Sequence, residues 1–229
     1  LTMGSANITD NTAAHGGGGI YAYECAITID GATITGNNGG DSLGGGVYVS
    51  GAKGSGTTGD PYIPAVIKNA TIQNNTAKCA GGINASGPVK ISDTTITGNT
   101  ATKLENWGGG GLNARIISQS RNNNGWVFEL SGKVIITGNK AESVDNNLYF
   151  PVVDAGTMLP AVTGLAEGST IGVTTEVKPL NNGVISPVYL TRDAGNLDYF
   201  TSDEKYVVKL DTDKNQIYLI AESSTVTVT

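Results

Sequence analysis

Histidine, cysteine and charged residues are scarce in this chain of 229 residues. Histidine occurs once, cysteine occurs twice, and charged residues make up 15% of the sequence. We interpret the single histidine, His15, as a solvent-facing loop residue rather than as part of a nucleophilic site. Neither the glycine-rich nonapeptide of calcium-binding β-rolls nor the spacing of an EF-hand loop occurs, so we expect no bound metal and no cofactor.

Long apolar runs and clustered positive charge are also absent. No run of about 18 apolar residues occurs, which leaves no candidate transmembrane helix. The net charge is −6, and lysine and arginine are scattered along the chain. The electrostatic surface that nucleic acids and anionic lipids require is therefore missing, which excludes both partner classes. The first residues do not resemble a signal peptide, so we expect any export signal to lie outside this sequence.

Glycine, in contrast, is abundant, and short phrases of the sequence repeat. The 33 glycines disfavour helices, whereas Val, Ile and Thr favour strands. A phrase of the type Thr-Ile-Thr-Gly-Asn occurs at 7–11, 33–37, 71–75, 95–99 and 135–139. A second phrase follows each copy of the first and consists of Gly-Gly, an aliphatic residue, and Tyr or Asn. It occurs at 18–21, 45–48, 81–84, 110–113 and 146–149, and in the last copy Asn-Asn replaces Gly-Gly. A third apolar strand precedes four of these units, at 27–29, 66–67, 89–91 and 127–130. Three strands per unit, in constant order, predict a solenoid.

The spacing of the repeats predicts a stacked core. The terminal asparagines of the first phrase are 26, 38, 24 and 40 residues apart, which indicates extra loop residues in alternate units. Units stacked about 4.8 Å apart would place Ile34, Ile72 and Ile96 on top of one another. The terminal asparagines would align as well, and we expect their side-chain amides to hydrogen-bond along the stack. The predicted fold is all-β, a right-handed parallel β-helix of about five three-strand coils with a C-terminal β cap.

Two regions of the chain differ in pattern. Residues 1–154 contain the coils, whereas residues 155–229 lose the asparagine phrase but keep apolar, strand-like runs. We predict that the second region continues the solenoid and covers its open end, because exposed strand edges promote pairing with other chains. Two of its runs flank the polar residues 211–216 and predict a β-hairpin. We interpret 223–229 as a linker to a further module, so that the chain is part of a larger multidomain protein.

The repeated phrases resemble the paired motifs of polymorphic outer-membrane protein repeats. They are more similar to the large β-helix surface proteins of Gram-positive gut bacteria, in which Ile-Thr-Gly-Asn and Gly-Gly-Gly-Val-Tyr-Val recur, as at 34–37 and 44–49 here. The resemblance covers roughly residues 4–150. It implies a bacterial, extracellular or cell-wall-attached protein with a β-helix fold. Such families include adhesins and share no catalytic residues.

One group of candidate ligand-binding residues lies beside the second phrase. Tyr21, Tyr48 and Tyr149 occupy equivalent positions there, and asparagines occupy the position in the units between them. Aromatic rings next to amides suit contacts with sugars or proteins. The alternative is that the rings simply pack along the stack.

A second group of candidate residues lies in two long loops. The loops at 50–64 and 116–126 carry Tyr62, Arg121 and Trp126, which can stack on and hydrogen-bond to a sugar. The unit between them has a short turn at the same corner. We predict that the loops form the walls of a cleft above that turn, although loop lengthening without a ligand is the alternative.

Catalysis is the main alternative to binding, because many extracellular β-helices are polysaccharide lyases or glycoside hydrolases. Asp30 and Asp93 lie at neighbouring corner positions two coils apart, which is about 10 Å. A retaining hydrolase needs carboxyl groups about 5 Å apart, so we interpret both as solvated turn residues. No catalytic constellation is recognised, and we predict that the chain is not an enzyme.

These features predict a non-catalytic, adhesin-like module that binds or displays a surface for a host glycan, mucin or surface protein. A purely structural stalk is a further alternative. The array of Thr33, Thr35, Thr95 and Thr97 also resembles the ice-binding face of β-helical antifreeze proteins, but threonine is common on solvated strands.

The two cysteines, Cys25 and Cys79, are predicted to be reduced thiols. They fall at different corners two coils apart, beyond the Cα separation of about 7 Å that a disulfide tolerates. Alkylation of the unreduced, denatured protein should therefore add two labels that mass spectrometry detects. A protein that takes up no label would show that the corner assignment is wrong.

Overall fold

A computed structural model describes residues 1–52, 62–104, 108–115, 127–151, 159–181, 184–185, 187–193 and 196–222. Within these residues the protein is all-β, and its repeats stack on one another through parallel strands in a solenoid-like arrangement. A 3-10 helix spans Leu197–Tyr199. The strands are β1 (Thr2–Met3), β2 (Asn7–Thr9), β3 (Ile20–Ala22), β4 (Thr28–Asp30), β5 (Thr33–Thr35), β6 (Val47–Val49), β7 (Ala65–Lys68), β8 (Thr71–Gln73), β9 (Thr76–Ala77), β10 (Ile83–Ala85), β11 (Val89–Ser92), β12 (Thr95–Thr97), β13 (Thr100–Ala101), β14 (Leu112–Ala114), β15 (Phe128–Ser131), β16 (Ile135–Thr137), β17 (Lys140–Ala141), β18 (Val144–Asp145), β19 (Leu148–Phe150), β20 (Thr170–Thr175), β21 (Leu180–Asn181), β22 (Val184–Ile185), β23 (Val188–Tyr189), β24 (Phe200–Ser202), β25 (Val207–Asp211) and β26 (Gln216–Ile220).

The predicted strands of the repeats are confirmed, and β1 adds to repeat one the third strand that was predicted only for repeats two to five. Repeat one contains β1 to β3, repeat two β4 to β6, repeat three β7 to β10, repeat four β11 to β14, and repeat five β15 to β19. Equivalent strands of successive repeats pair in parallel and form three columns. The first column is β1, β4, β7, β11 and β15, the second is β2, β5, β8, β12 and β16, and the third is β3, β6, β10, β14 and β19.

A fourth short strand in three of the repeats was not predicted. β9, β13 and β17 follow directly after the terminal asparagine of the first phrase and pair in parallel. Thr76, Thr100 and Lys140 are aligned in this column, and Asn38 continues it into repeat two by an isolated bridge. Strands of two residues are too short to produce an alternating pattern in the sequence, so periodicity could not reveal them.

The predicted core column is confirmed. Ile34, Ile72 and Ile96 are aligned in neighbouring strands and have no exposed surface. Their alternating neighbours on these strands are half-buried threonines and glutamine, as expected for strands with one face in the core. Further fully buried side chains from the other two columns complete the core, among them Ile29, Ile67, Ile91, Leu130, Ile83, Leu112 and Phe128.

The predicted ladder of asparagines is confirmed as well. In each step, the side-chain oxygen of one asparagine accepts both the backbone N–H and the side-chain amide of the asparagine in the preceding repeat. Oδ1 of Asn99, for example, lies 3.0 Å from N and 2.9 Å from Nδ2 of Asn75. Nδ2 of Asn99 also donates to the carbonyl oxygen of Ile72 in the core strand, at 2.9 Å. The asparagines that these steps connect are Asn11, Asn37, Asn75, Asn99 and Asn139.

The Gly-Gly phrase is required by this ladder. A Cβ atom on Gly82 would lie 3.1 Å from the side-chain amide of Asn99 and 2.4 Å from the carbonyl oxygen of Gly111. A side chain therefore cannot be added without moving the ladder or the next repeat. The same relation to a ladder asparagine holds for Gly19, Gly46 and Gly111.

The ladder continues beyond repeat five through two residues that the repeated phrases do not indicate. Oδ1 of Asn147 accepts N and Nδ2 of Asn139, at 2.9 and 3.0 Å. Asn147 stands where the second glycine of the phrase stands in the other repeats, and it donates from N and Nδ2 to the two carboxylate oxygens of Asp203, at 2.7 and 2.6 Å. An ionised carboxylate only accepts hydrogen bonds, so Asp203 ends the ladder.

The C-terminal region adds strands to the stack. One half of β20 pairs with β16 and the other half with β19, so the second and third columns join in one large sheet, to which β24 adds in parallel. The predicted hairpin is confirmed as β25 and β26, and β23 pairs with β26. The predicted boundary after residue 154 and the predicted linker at 223–229 lie outside the described residues.

Both cysteines are free thiols. Cys25 is half-buried and Cys79 is buried. Burial raises the pKa of the Cys79 thiol, so this sulfur stays protonated at neutral pH and packs as a small apolar group.

The substitution Gly82→Ala should destabilise the protein by at least about 1–3 kcal/mol, because its methyl group would overlap the next repeat. Gly4→Ala is the matched control, since a Cβ atom on Gly4 meets nothing within 4 Å. Chemical denaturation of the two variants measures the difference. Equal free energies of unfolding would mean that the tight contact between Gly82 and the ladder does not exist.

The carboxylate that ends the ladder should make stability depend on pH. Burial raises the pKa of Asp203, hydrogen bonds from Asn147 and Thr174 oppose the rise, and the charge of Asp145 adds to it. The folded protein therefore holds the proton more tightly than the unfolded chain. Consequently, the contribution of Asp203 to stability is complete below its ordinary pKa of 3.8 and is lost as the pH rises through the raised value.

Asp203→Asn tests this dependence, because its amide does not titrate and matches the other ladder side chains. The stability of the wild type relative to this variant should fall as the pH rises above about 4. Asp203→Leu is the control. Asp203→Leu leaves the buried amide of Asn147 without an acceptor, so it should be less stable than Asp203→Asn at every pH, by about 1–3 kcal/mol. A constant difference between wild type and Asp203→Asn would contradict the raised pKa.

Candidate functional site

The predicted column of tyrosines and asparagines is aligned as expected. Tyr21 pairs with Tyr48, and the column continues through Asn84 and Asn113 to Tyr149. Each residue sits in the middle of its strand in the third column, so one position per repeat is presented to the same side of the sheet. The column differs along its length in exposure, and this divides it into separate sites.

The first site is a tyrosine cluster, made of Tyr21, Tyr23 and Tyr48. Tyr21 and Tyr23 are 56% and 57% exposed, whereas Tyr48 is buried. The rings of Tyr21 and Tyr48 are stacked, with centroids 4.9 Å apart, and the ring of Tyr23 is nearly parallel to that of Tyr21, at 6.3 Å. A Cβ atom on Gly16 would lie 2.6 Å from the Tyr21 ring, so the backbone at Gly16 packs directly on it. These contacts hold the rings in fixed positions at the surface.

The hydroxyl group of Tyr21 is neutral at physiological pH. Burial, together with the neighbouring Tyr48 and Tyr23, raises the pKa of Tyr21. A protonated phenol can both donate and accept a hydrogen bond. The cluster can therefore offer ring faces for stacking and hydroxyl groups for hydrogen bonding.

Two buried asparagines separate the cluster from Tyr149. Oδ1 of Asn84 accepts the hydroxyl of Ser86 at 2.7 Å, but Nδ2 of Asn84 and both polar side-chain atoms of Asn113 have no hydrogen-bond partner among the described residues. Three steps of about 4.8 Å place Tyr149 about 14 Å from Tyr48 along the column. Tyr149 therefore belongs to a different site.

That second site, the Tyr149 pocket, lies beside the last repeats and has a volume of about 390 Å³. Its walls come from β18, β19 and β20 and from residues that follow β20 and β24. Its polar lining consists mainly of Asp145, Asn146, Tyr149, Glu176, Lys178 and Glu204. A volume of this size is typical of small-molecule sites.

Hydrogen bonds fix the charged groups of the pocket. Nζ of Lys178 lies 2.7 and 2.8 Å from the two carboxylate oxygens of Glu204. The hydroxyl of Tyr149 donates to the carboxylate of Glu176. Burial raises the pKa of Tyr149 strongly, and the negative charges of Glu176 and Glu204 raise it further, so the phenol remains protonated.

The second predicted group, in the long loops, is described only in part. Tyr62 is half-buried and precedes Ile63, whose backbone pairs with that of Ala52. Arg121 and Trp126 lie outside the described residues. The cleft between the two loops therefore stays a prediction.

The corner carboxylates connect neighbouring repeats. Asp30 lies 3.1 Å from Nζ of Lys68 and accepts Nδ2 of Asn69 at 2.8 Å. These hydrogen bonds, first that of Asn69, lower the pKa of Asp30. Asp93 accepts the backbone N–H of Lys133 at 3.0 Å. No group of three or more His, Cys, Asp or Glu side chains in the described part of the chain is arranged to hold a metal ion.

Sequence analysis missed several residues of these sites. Tyr23 follows β3 directly and lies two residues after Tyr21. Side chains two residues apart in an extended chain point to the same side, so this spacing could have revealed it. Glu176, Lys178 and Glu204 lie outside the repeated phrases. No periodic signal could have placed these three side chains next to Tyr149.

Comparison of the chain with protein-family models, curated proteins and solved structures finds no match. Among the described residues, no helix is both long and apolar enough to span a membrane. The function is therefore inferred from the geometry of the repeats, the tyrosine cluster and the Tyr149 pocket.

Proposed function

We propose that this chain is an adhesin-like module of a bacterial surface protein that binds a host glycan or a glycosylated protein such as mucin. The observation that carries the proposal is the exposed tyrosine cluster, in which the ring of Tyr21 packs on the buried ring of Tyr48 and on Gly16, and the ring of Tyr23 lies parallel to that of Tyr21. Fixed aromatic rings lose little conformational freedom on binding, which favours them as anchors of a binding surface.

Carbohydrate is the ligand class that this surface suits best. A sugar ring presents apolar C–H groups on its faces and hydroxyl groups on its edge. The rings of Tyr21 and Tyr23 can contact the face, and their hydroxyl groups can hydrogen-bond to the edge. A glycosylated protein presents the same groups, so both host glycans and mucins fall within the proposed ligand class.

We further propose that the repeats wind as a right-handed parallel β-helix. Connections that leave a strand and return to a parallel neighbour in the same sheet are right-handed in almost all proteins. Each repeat makes such a connection in all three columns. A left-handed winding in an experimental density map would overturn this part of the proposal.

A location outside the cell or on the cell wall is supported by the resemblance of the repeated phrases to bacterial surface proteins. A solenoid also suits display, because each repeat contacts only its neighbours and its outer side chains can vary without disturbing the core. A purely structural stalk would use the same scaffold without a ligand. Binding experiments separate the two functions.

Replacing the exposed rings should weaken binding strongly without unfolding the protein. In the double variant Tyr21→Ala/Tyr23→Ala, we expect binding to mucin or to the positive features of a glycan array to weaken by more than about tenfold, which is about 1.4 kcal/mol. The melting temperature should change little, because both side chains are largely exposed.

The matched control is Tyr21→Phe/Tyr23→Phe, which keeps the rings and removes only the hydroxyl groups. It should retain part of the affinity if stacking dominates. Equal binding by wild type and the alanine variant would place the site elsewhere, most directly in the loops that carry Tyr62, Arg121 and Trp126. Absence of any binding would favour the stalk, and release of reducing sugar from the bound polysaccharide would favour the carbohydrate-active enzyme.

A further inference from the structure

The Tyr149 pocket has features of a small-ligand site that the tyrosine cluster does not share. It is concave, and Val144 and Leu104 contribute exposed apolar walls to it. Glu176 and Glu204 also line the pocket and provide acceptor oxygens, and Tyr149 contributes an aromatic ring. A ligand must therefore combine an apolar face with several hydroxyl donors.

A buried amide supplies the complementary donor. Asn146 lines the pocket and has no exposed surface, and its Oδ1 accepts the backbone N–H of Gly109 at 2.8 Å. This bond fixes the side chain, and its Nδ2 has no hydrogen-bond partner among the described residues. Nδ2 is itself buried, so a ligand oxygen reaches it only if the pocket wall shifts locally. An unpaired buried polar group costs about 1–3 kcal/mol, and this cost favours such a shift.

Charge restricts the ligand further. Three carboxylates, those of Asp145, Glu176 and Glu204, line the pocket with one ammonium group, that of Lys178, and the ammonium group of Lys140 pairs with Asp145 at 3.1 Å. Lys178 is held by both oxygens of Glu204, so its charge is directed toward the protein. The carboxylate of an acidic ligand would be repelled by the three in the pocket, whereas ligand hydroxyl groups could donate to their oxygens.

We propose that the Tyr149 pocket binds a single sugar ring that carries no carboxylate, such as a neutral hexose or an N-acetylhexosamine. The ring contacts Val144, Leu104 and Tyr149, its hydroxyl groups donate to the glutamates, and one of its oxygens accepts from Asn146. This site is independent of the tyrosine cluster, about 14 Å away along the column. It would remain if the cluster bound nothing.

Ligand-observed NMR titration of the full chain tests the proposal, with galactose and N-acetylglucosamine as neutral probes and glucuronic acid and N-acetylneuraminic acid as acidic probes. We expect at least one neutral probe to bind with a Kd below about 10 mM, and both acidic probes to bind at least tenfold more weakly. Absence of binding by both neutral probes, or equal binding by an acidic probe, would overturn the proposal.

Two variants locate the bound sugar. Val144→Trp fills the pocket and should weaken neutral-sugar binding by more than tenfold, whereas Ile63→Trp alters a side chain of the same exposure, 48%, in another repeat and should leave binding unchanged. Neutral-sugar binding that survives Val144→Trp would overturn the assignment of the pocket. The double variant Tyr21→Ala/Tyr23→Ala should also leave it unchanged, which separates failure of this site from failure of the cluster.

A third variant tests the role of charge without blocking the pocket by a larger side chain. Glu204→Gln releases Lys178 from its bidentate partner, so the ammonium group becomes available to a ligand carboxylate. We expect this variant to bind glucuronic acid at least fivefold more tightly than the wild type. Unchanged affinity for the acidic probe would overturn the proposed charge selectivity.

Discussion

The hydrogen-bonded asparagine ladder is the interaction on which the rest of the structure depends. A side-chain amide carries both acceptor and donor groups, so each asparagine can accept from one neighbour and donate to the next without a change of residue type. The ladder also satisfies backbone groups at the corner, because every step includes a main-chain N–H and most steps include a carbonyl of a core strand. Buried polar groups that are completely paired in this way specify one register of the stack and reject others. The isoleucine core alone would tolerate more than one register of the stack.

The ladder in turn dictates which parts of the sequence can vary. Its amides fill the space in front of the second glycine of each Gly-Gly phrase, so that position excludes side chains. In repeat five, Asn147 stands at the position of the second glycine. Its side chain is tolerated there because it becomes the next member of the ladder. The loops between the strands differ greatly in length from one repeat to the next. Lengthening a loop costs little in loop-closure entropy.

These constraints explain how much could be predicted from the sequence. Repetition revealed the three strand columns, the buried isoleucines and the ladder through Asn139, because each depends on a residue type that recurs at one place in every repeat. The two-residue strands gave no pattern, and Asn147 appeared to belong only to the second phrase. Asp203 could not be assigned to the ladder, because it lies 56 residues after Asn147, in a region where the repeated phrases no longer occur. The Tyr149 pocket was missed for the same reason, although Tyr149 itself was a candidate.

The end of the ladder connects the scaffold to the Tyr149 pocket. Asp203 accepts the last ladder amide and also the hydroxyl of Thr174, a residue of the pocket wall. The next residue in the chain, Glu204, holds Lys178 inside the pocket. Because hydrogen bonds from the ladder hold Asp203 in place, they also restrict the position of Glu204, the next residue. A precise binding site needs this kind of support from the rigid elements around it. The one carboxylate that stops the repetition therefore serves two purposes: it terminates the stack, and it positions the polar groups that distinguish this end of the solenoid from the repeats before it.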